Sequence, residues 1–252
     1  MITPAALNDY LDSLLNAKEF KDYAPNGLQI EGRDKIYRLC TAVTASLNII
    51  KQACALQADA LLVHHGYFWR GEASNITGIK YQRIAQLIKA NMNLFAYHLP
   101  LDTHKTFGNN AQIAQALHLD SVVAKNINQT PNLLWLGKPA EAWTLPECEE
   151  RLAHIFKQKP QMIKAHKRPI TTLAWCSGGA QDFITQAADY QADLYISGEI
   201  SERTYHLAQE LGVHYAACGH HATERFGVRA LGAHLAAHFD LEHHFLDEPN
   251  PV

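Results

Sequence analysis

Two hydrophobic rhythms alternate along the chain. Continuous apolar runs such as "YRLCTAV", "ALLV" and "NLFAY" have the look of buried strands. Between them, apolar positions recur every three or four residues, which predicts amphipathic helices. The opening "MITPAALNDYLDSLL" is of the second kind. Thr3 is placed to cap it, Pro4 suits its first turn, and Leu7, Leu11 and Leu14 share a face. From Gly212 to Thr223 the pattern runs strand then turn, and Val228, Leu231 and Leu235 mark one face of the helix that follows.

The rhythm repeats. "IYRLCTAVTAS" and the helical "LNIIKQACALQADALLVHHG" in the first half match "ITTLAWCSGGA" and "QDFITQAADYQADLYISGEI" in the second. Each copy holds a strand-like run, a turn of small residues, a helix, Gln-Ala-Asp and a second strand, so that Asp59 pairs with Asp193 and Leu62 with Ile196. A further helix and strand follow in both copies. The expectation is a duplicated two-lobed α/β fold with βαβαβ-type halves, largely parallel strands, and a cleft between the lobes. The division expected is an N-terminal lobe over 1–125, a short connecting segment over 126–168, and a C-terminal lobe over 169–252. In the connector, "TLPECEERLAHIFK" reads as a helix capped by Thr144.

Composition narrows the class of protein. The 252 residues are 47% hydrophobic and 19% charged, which is globular and not disordered. A net charge of −3 gives no general basic footprint for nucleic acid, and no apolar run reaches the length of a membrane span. The five cysteines are scattered without a C-x-x-C, which reads as reduced thiols in a cytoplasmic protein.

Histidine changes the picture. There are 15, and several fall in clusters at predicted strand ends: "VHHG", "YHLPLDTH" and "GHHATE". The fourth strand end, "ISGEIS", carries Glu199. Adjacent side chains on a strand point to opposite faces. His64 and His65 can serve one site only if the strand stops there and the chain turns at Gly66. The candidate ligands are His64, His65, Asp102, His220 and Glu224, although spacing alone does not choose between His220 and His221 as the partner of Glu224. Five imidazole and carboxylate ligands exceed the needs of one open zinc and suit two divalent ions, zinc, iron or manganese, with a carboxylate bridge. His98 and His221 are candidate proton carriers, while His104 and Glu199 are left as partners or substrate contacts. His243 and His244 are expected to be ordinary strand or surface residues. Tyr67, Phe68 and Trp69 are placed to stack on a planar base or to pack against a neighbouring subunit. The glycine-rich "WCSGGAQDF" offers backbone amides to an anion, or is simply a tight turn.

The blocks "DYAPNGLQIEG", "VTAS", "VHHGYFWRGE", "YHLPLDTHKTFGNN", "SGEIS" and "GHHATERFGVRAL" occur in the order found in one family. In them the chain resembles the GTP cyclohydrolase 1 type 2 homologs, also known as Nif-three-like dinuclear metal proteins. The resemblance implies a dinuclear metal site between two lobes, a homohexameric ring or toroid, and the ligands His64, His65, Asp102, His220 and Glu224, favouring His220 over His221. Two functions follow as expectations. One is a cyclohydrolase-like, metal-dependent hydrolase acting through metal-bound hydroxide on a nucleotide or related heterocycle. The other is a non-enzymatic metal-binding ring or scaffold for a partner or nucleic acid.

Overall fold

A computed structural model describes all residues, 1–252. The chain divides into two compact units, one made of 1–108 and 227–249, the other of 109–226 and 250–252.

The first unit is built on a five-stranded sheet in the order β1-β4-β3-β2-β11. Its strands are β1 (Gly27–Ile30), β2 (Arg38–Thr44), β3 (Ala60–His65), β4 (Asn93–Ala96) and β11 (Glu242–Phe245). All neighbours are parallel except β1, which runs antiparallel to β4. Both faces of the sheet are covered, so its strands read as continuous apolar runs. Leu39, Leu62 and Phe95 pack on one face with Leu7 and Leu11 of α1 (Pro4–Leu14) and with Val228, Leu231 and Leu235 of α9 (His220–Phe239). Cys40, Leu61, Val63 and Leu94 face the other way, against Ile49 and Ile50 of α2 (Leu47–Ala55) and Ile84 and Leu87 of α3 (Gly78–Lys89). Thr3 caps α1 as expected, its hydroxyl accepting from the Ala6 N–H. His243 has the ordinary strand role foreseen for it, its Nε2 2.9 Å from the Thr41 hydroxyl.

The second unit holds a six-stranded sheet in the order β5-β6-β8-β9-β10-β7. These are β5 (Asp120–Ile127), β6 (Thr130–Lys138), β7 (Gln161–Ile163), β8 (Leu173–Trp175), β9 (Leu194–Ser197) and β10 (His214–Ala217). The central trio β8-β9-β10 is parallel, and the other three strands join antiparallel. One face packs on α5 (Asn109–Leu117) and α6 (Leu145–Phe156), the other on α7 (Ile184–Asp189) and α8 (Glu202–Leu211).

The duplication extends to hydrogen bonds. β2-α2-β3-α3-β4 and β8-α7-β9-α8-β10 have the same strand order, and each ends on an antiparallel neighbour, β1 beside β4 and β7 beside β10. The matched aspartates do the same work. Asp59 Oδ2 accepts the N–H groups of Tyr37 and Arg38 at 2.9 Å, at the start of β2. Asp193 Oδ2 accepts those of Thr171 and Thr172 at 2.9 and 3.1 Å, just before β8.

The boundaries differ from the expected 1–125, 126–168 and 169–252 in two respects. The stretch 126–168 is no connector. It supplies all of β6, α6 and β7, and the two strands pair within the second sheet. The residues from Gly227 to Pro249 belong to the first unit, because the apolar face of α9 and strand β11 complete its core and its sheet edge. Strands are also less uniformly parallel than expected, since the β5–β6 hairpin and β7 flank the parallel trio.

Candidate metal centre

In the first unit, β3 ends where the two histidines stand, and the turn after them is tightly specified. A Cβ on Gly66 would lie 2.3 Å from Gln29 Oε1 and 2.6 Å from Ala96 Cβ. The Gln29 amide bonds both ways to the Tyr67 backbone, accepting from its N–H at 2.8 Å and donating to its carbonyl at 3.1 Å. Tyr67 itself is buried, and its hydroxyl donates to the Ala45 carbonyl at 2.7 Å. It therefore pins the corner and offers no stacking face. With the strand ending there, the His64 and His65 rings lie 4.6 Å apart. Ligand-type atoms of His64, His65 and His98 fall within 4.8 Å of one another.

The tautomers follow from the partners. His64 Nδ1 lies 3.0 Å from the Tyr97 carbonyl oxygen, which only accepts, so Nδ1 carries a proton and Nε2 is the nitrogen turned to the site. That Nε2 lies 3.5 Å from Asp102 Oδ1, on α4 (Leu99–Thr103). His64 is fully buried and Asp102 nearly so. A buried lone pair facing a buried carboxylate is repulsive unless a proton or a metal cation lies with them. The His65 ring is held at Nδ1, which lies 3.1 Å from the Thr44 hydroxyl, a partner able to donate or accept.

His98 is held by a residue the sequence reading passed over. Its Nδ1 lies 2.7 Å from Asp22 Oδ1, and Asp22 Oδ2 accepts the Leu99 N–H at 2.9 Å and an Asn26 amide hydrogen at 3.0 Å. Burial raises the Asp22 carboxyl's pKa, but the bonds from His98 and Asn26 outweigh it, and the net shift is downward. The "DYAPN" block was legible as a signature, but nothing in its spacing tied Asp22 to His98. His104 lies apart from this work. Its Nδ1 accepts the Thr106 and Phe107 N–H groups and so closes the turn after α4.

In the second unit, His220 opens α9 and Glu224 follows one turn later. His220 Nε2 lies 3.1 Å from Glu224 Oε1, and its Nδ1 lies 2.6 Å from Glu199 Oε1. Burial disfavours the imidazolium, yet the two carboxylates more than offset it and push the His220 pKa up to about 9. Glu224 is 3% exposed, which for a carboxylate calls for a proton or cation partner. Glu199, one of the residues left over, is thus the outer partner of His220, and its carbonyl accepts from the Tyr215 hydroxyl. His221 enters no grouping of potential ligand atoms, and its backbone N–H donates to the Val252 carbonyl.

The glycine-rich turn after β8 is not an anion cradle. Gly178 has a φ of +67°, and a Cβ there would meet Glu224 Oε1 at 2.3 Å, while one on Gly179 would lie 3.5 Å from the Glu199 carboxyl. The turn makes room for carboxylates, which an anion would not join.

Two α/β units, each presenting imidazoles held at Nδ1 beside buried acids, define a protein with clusters fit for a metal. Mixed nitrogen and oxygen donors of this kind suit divalent zinc, iron or manganese. The sequence profile of the family Duf34/NIF3 (NGG1p interacting factor 3) matches residues 3–251, and the chain belongs to that family. It is 46% identical over 243 residues to the GTP cyclohydrolase 1 type 2 homolog of Allochromatium vinosum, covering 96% of this chain and 95% of that one. The homolog from Neisseria meningitidis serogroup A is 47% identical over 243 residues, 96% of each chain. Among solved structures, protein ybgI, of unknown function, superposes with a TM-score of 0.95 at 40% identity over the whole of both chains. Reduced HcgD from Methanocaldococcus jannaschii gives 0.85 at 26% identity over 98% of each.

Proposed function

We propose that the chain is a metal-dependent hydrolase, cyclohydrolase-like, acting on a nucleotide or related heterocycle. In this reading His64, His65, Asp102, His220 and Glu224 together hold two divalent ions. The observation that carries it is the pairing of two buried donors, His64 Nε2 and the Asp102 carboxylate, 3.5 Å apart, a nitrogen and an oxygen placed to share one cation. The printed name of the relatives, GTP cyclohydrolase 1 type 2 homolog, supports the substrate class.

Bound metals would supply an acidified water and polarise the group it attacks. The chain's own residues do the rest. Tyr97 and Thr44 fix the His64 and His65 rings through their Nδ1 atoms. Glu199 does the same for His220, a carboxylate behind a ligand imidazole that orients it and raises its basicity. His98, held at Nδ1 by Asp22, moves the proton at Nε2, and the bond fixes which nitrogen is available. A hydrolysis screen over nucleotides on fully metallated protein tests the reading. Turnover should appear, and His64→Ala should lower it at least about a hundredfold. No turnover across the screen, or turnover that survives His64→Ala, would end it.

A further inference from the structure

Beside the histidines of the first unit stands an aromatic corner that no metal reading uses. Trp69 meets His98 at 5.1 Å between ring centroids and 84° between planes, and it lies 5.9 Å from His65. Tyr23 meets the same His98 at 6.2 Å and 69°. Both rings therefore stand steeply to one imidazole. Tyr23 is 58% exposed, so part of its ring is open to a ligand.

The corner is built, not incidental. Phe68, just before Trp69, has a φ of +66°, a left-handed backbone that a bulky side chain rarely adopts and that marks positions held by their surroundings. This turn brings the Trp69 indole N–H back onto the Gly66 carbonyl at 3.2 Å. The next residue ties the two loops together. The Arg70 N–H donates to the Tyr23 carbonyl at 2.6 Å, and its guanidinium donates to the Asp22 carbonyl at 2.8 Å. That guanidinium also lies 5.8 Å from the centre of the Tyr23 ring. Its positive charge is not spent on an acid. Glu72, the acid in the same loop, is taken by Lys80 at 3.2 Å and by the Trp69 N–H at 3.2 Å.

We propose that Tyr23, Trp69 and Arg70 form the substrate-recognition corner, in which the aromatic rings stack a planar heteroaromatic ring and Arg70 takes an anionic group attached to it. The proposal rests on the hydrolase reading above and narrows it to a flat, negatively charged ligand. An exposed Tyr23 ring and a half-buried Trp69 ring next to a guanidinium that no carboxylate neutralises select against a cationic ligand, which Arg70 repels, and against an aliphatic one, which gains no stacking.

The test is equilibrium binding to metal-loaded protein, with guanosine 5′-monophosphate, guanosine and inorganic phosphate as probes, and with metal content measured on every sample. Wild type should bind the nucleotide more tightly than either fragment. Tyr23→Ala should weaken nucleotide binding roughly five- to 150-fold, the range for one lost stacking contact, while Tyr23→Phe restores it. Arg70→Ala should bring the nucleotide's affinity down towards that of guanosine. Metal content should stay at the wild-type level in all three variants, because none of these residues is a ligand. If loaded wild type binds none of the probes, or if Tyr23→Ala and Arg70→Ala bind the nucleotide within twofold of wild type, the corner proposal is wrong and the metal reading stands. If the protein takes up no metal, the hydrolase reading fails first.

Discussion

Hydrogen-bond partners at the level of single residues decide what the histidines can be. An imidazole whose Nδ1 hydrogen is given to a carbonyl can offer only Nε2 to a metal, and His64 is held in that way. Small residues matter as much as ligands. Gly178 is required twice over, by its φ of +67° and by Glu224, which leaves no room for a Cβ. Gly178→Ala should therefore displace the Glu224 carboxylate and lower metal occupancy, while Gly212→Ala, with open space around it, should cost only backbone strain. Elemental analysis of both variants checks this, and equal occupancy in the two would remove the role given to Gly178. The histidine doublets and Glu224 were legible in the sequence because chemistry-bearing residues sat at strand ends. Asp22 was not, because its partner His98 is 76 positions away and no periodicity links them.

The repeat is the governing fact for the secondary-structure elements. Strand runs, helix faces and the Gln-Ala-Asp signature could all be read directly, and the two aspartates prove to hold equivalent strand starts. Removing either carboxylate leaves two backbone N–H groups short of their acceptor. Asp193→Ala should cost about 2–4 kcal/mol, and Asp59→Ala as much or more because it also loses the 2.7 Å pair with Arg33. Urea unfolding of both variants measures it, and a loss below about 0.5 kcal/mol in both would show that the matched motif is not structural.

β10 and its neighbourhood set the pH response. His214 is buried at the start of β10, and its Nδ1 accepts the Ala165 N–H at 3.0 Å, so that nitrogen is unprotonated. His166 stacks on it at 3.7 Å. Burial first, and then the His166 charge, lower the His214 pKa from 6.5 to about 4. Burial lowers those of His104 and His243 as well. The unfolded chain then takes up protons before the folded one. The His214 contribution to stability is full above about pH 6.5 and falls, by at most about 3 kcal/mol, as the pH drops towards 4. The slope of urea stability against pH over that window should flatten in His214→Asn, and an unchanged slope would contradict the assignment.

Over the whole molecule, the sequence was least informative where pairing is non-local. The stretch 126–168 looked like a connector because a lone hairpin and a short edge strand carry no sign of which sheet they will join, and only β8 and β10 decide it. The return of residues 227–249 to the first unit is equally hidden, since an amphipathic helix does not name the core it will cover. The matched halves and the clustered imidazoles and carboxylates survive these corrections, and the proposed function requires that those clusters hold two metals.

Metal content per chain tests that claim most directly. Elemental analysis would be made on protein purified without chelators or affinity nickel, with His64→Ala and Glu224→Ala alongside. Wild type should hold about two divalent ions per chain, with a clear fall in both variants. Wild type that holds no metal, even after reconstitution with zinc, iron(II) and manganese, would contradict it.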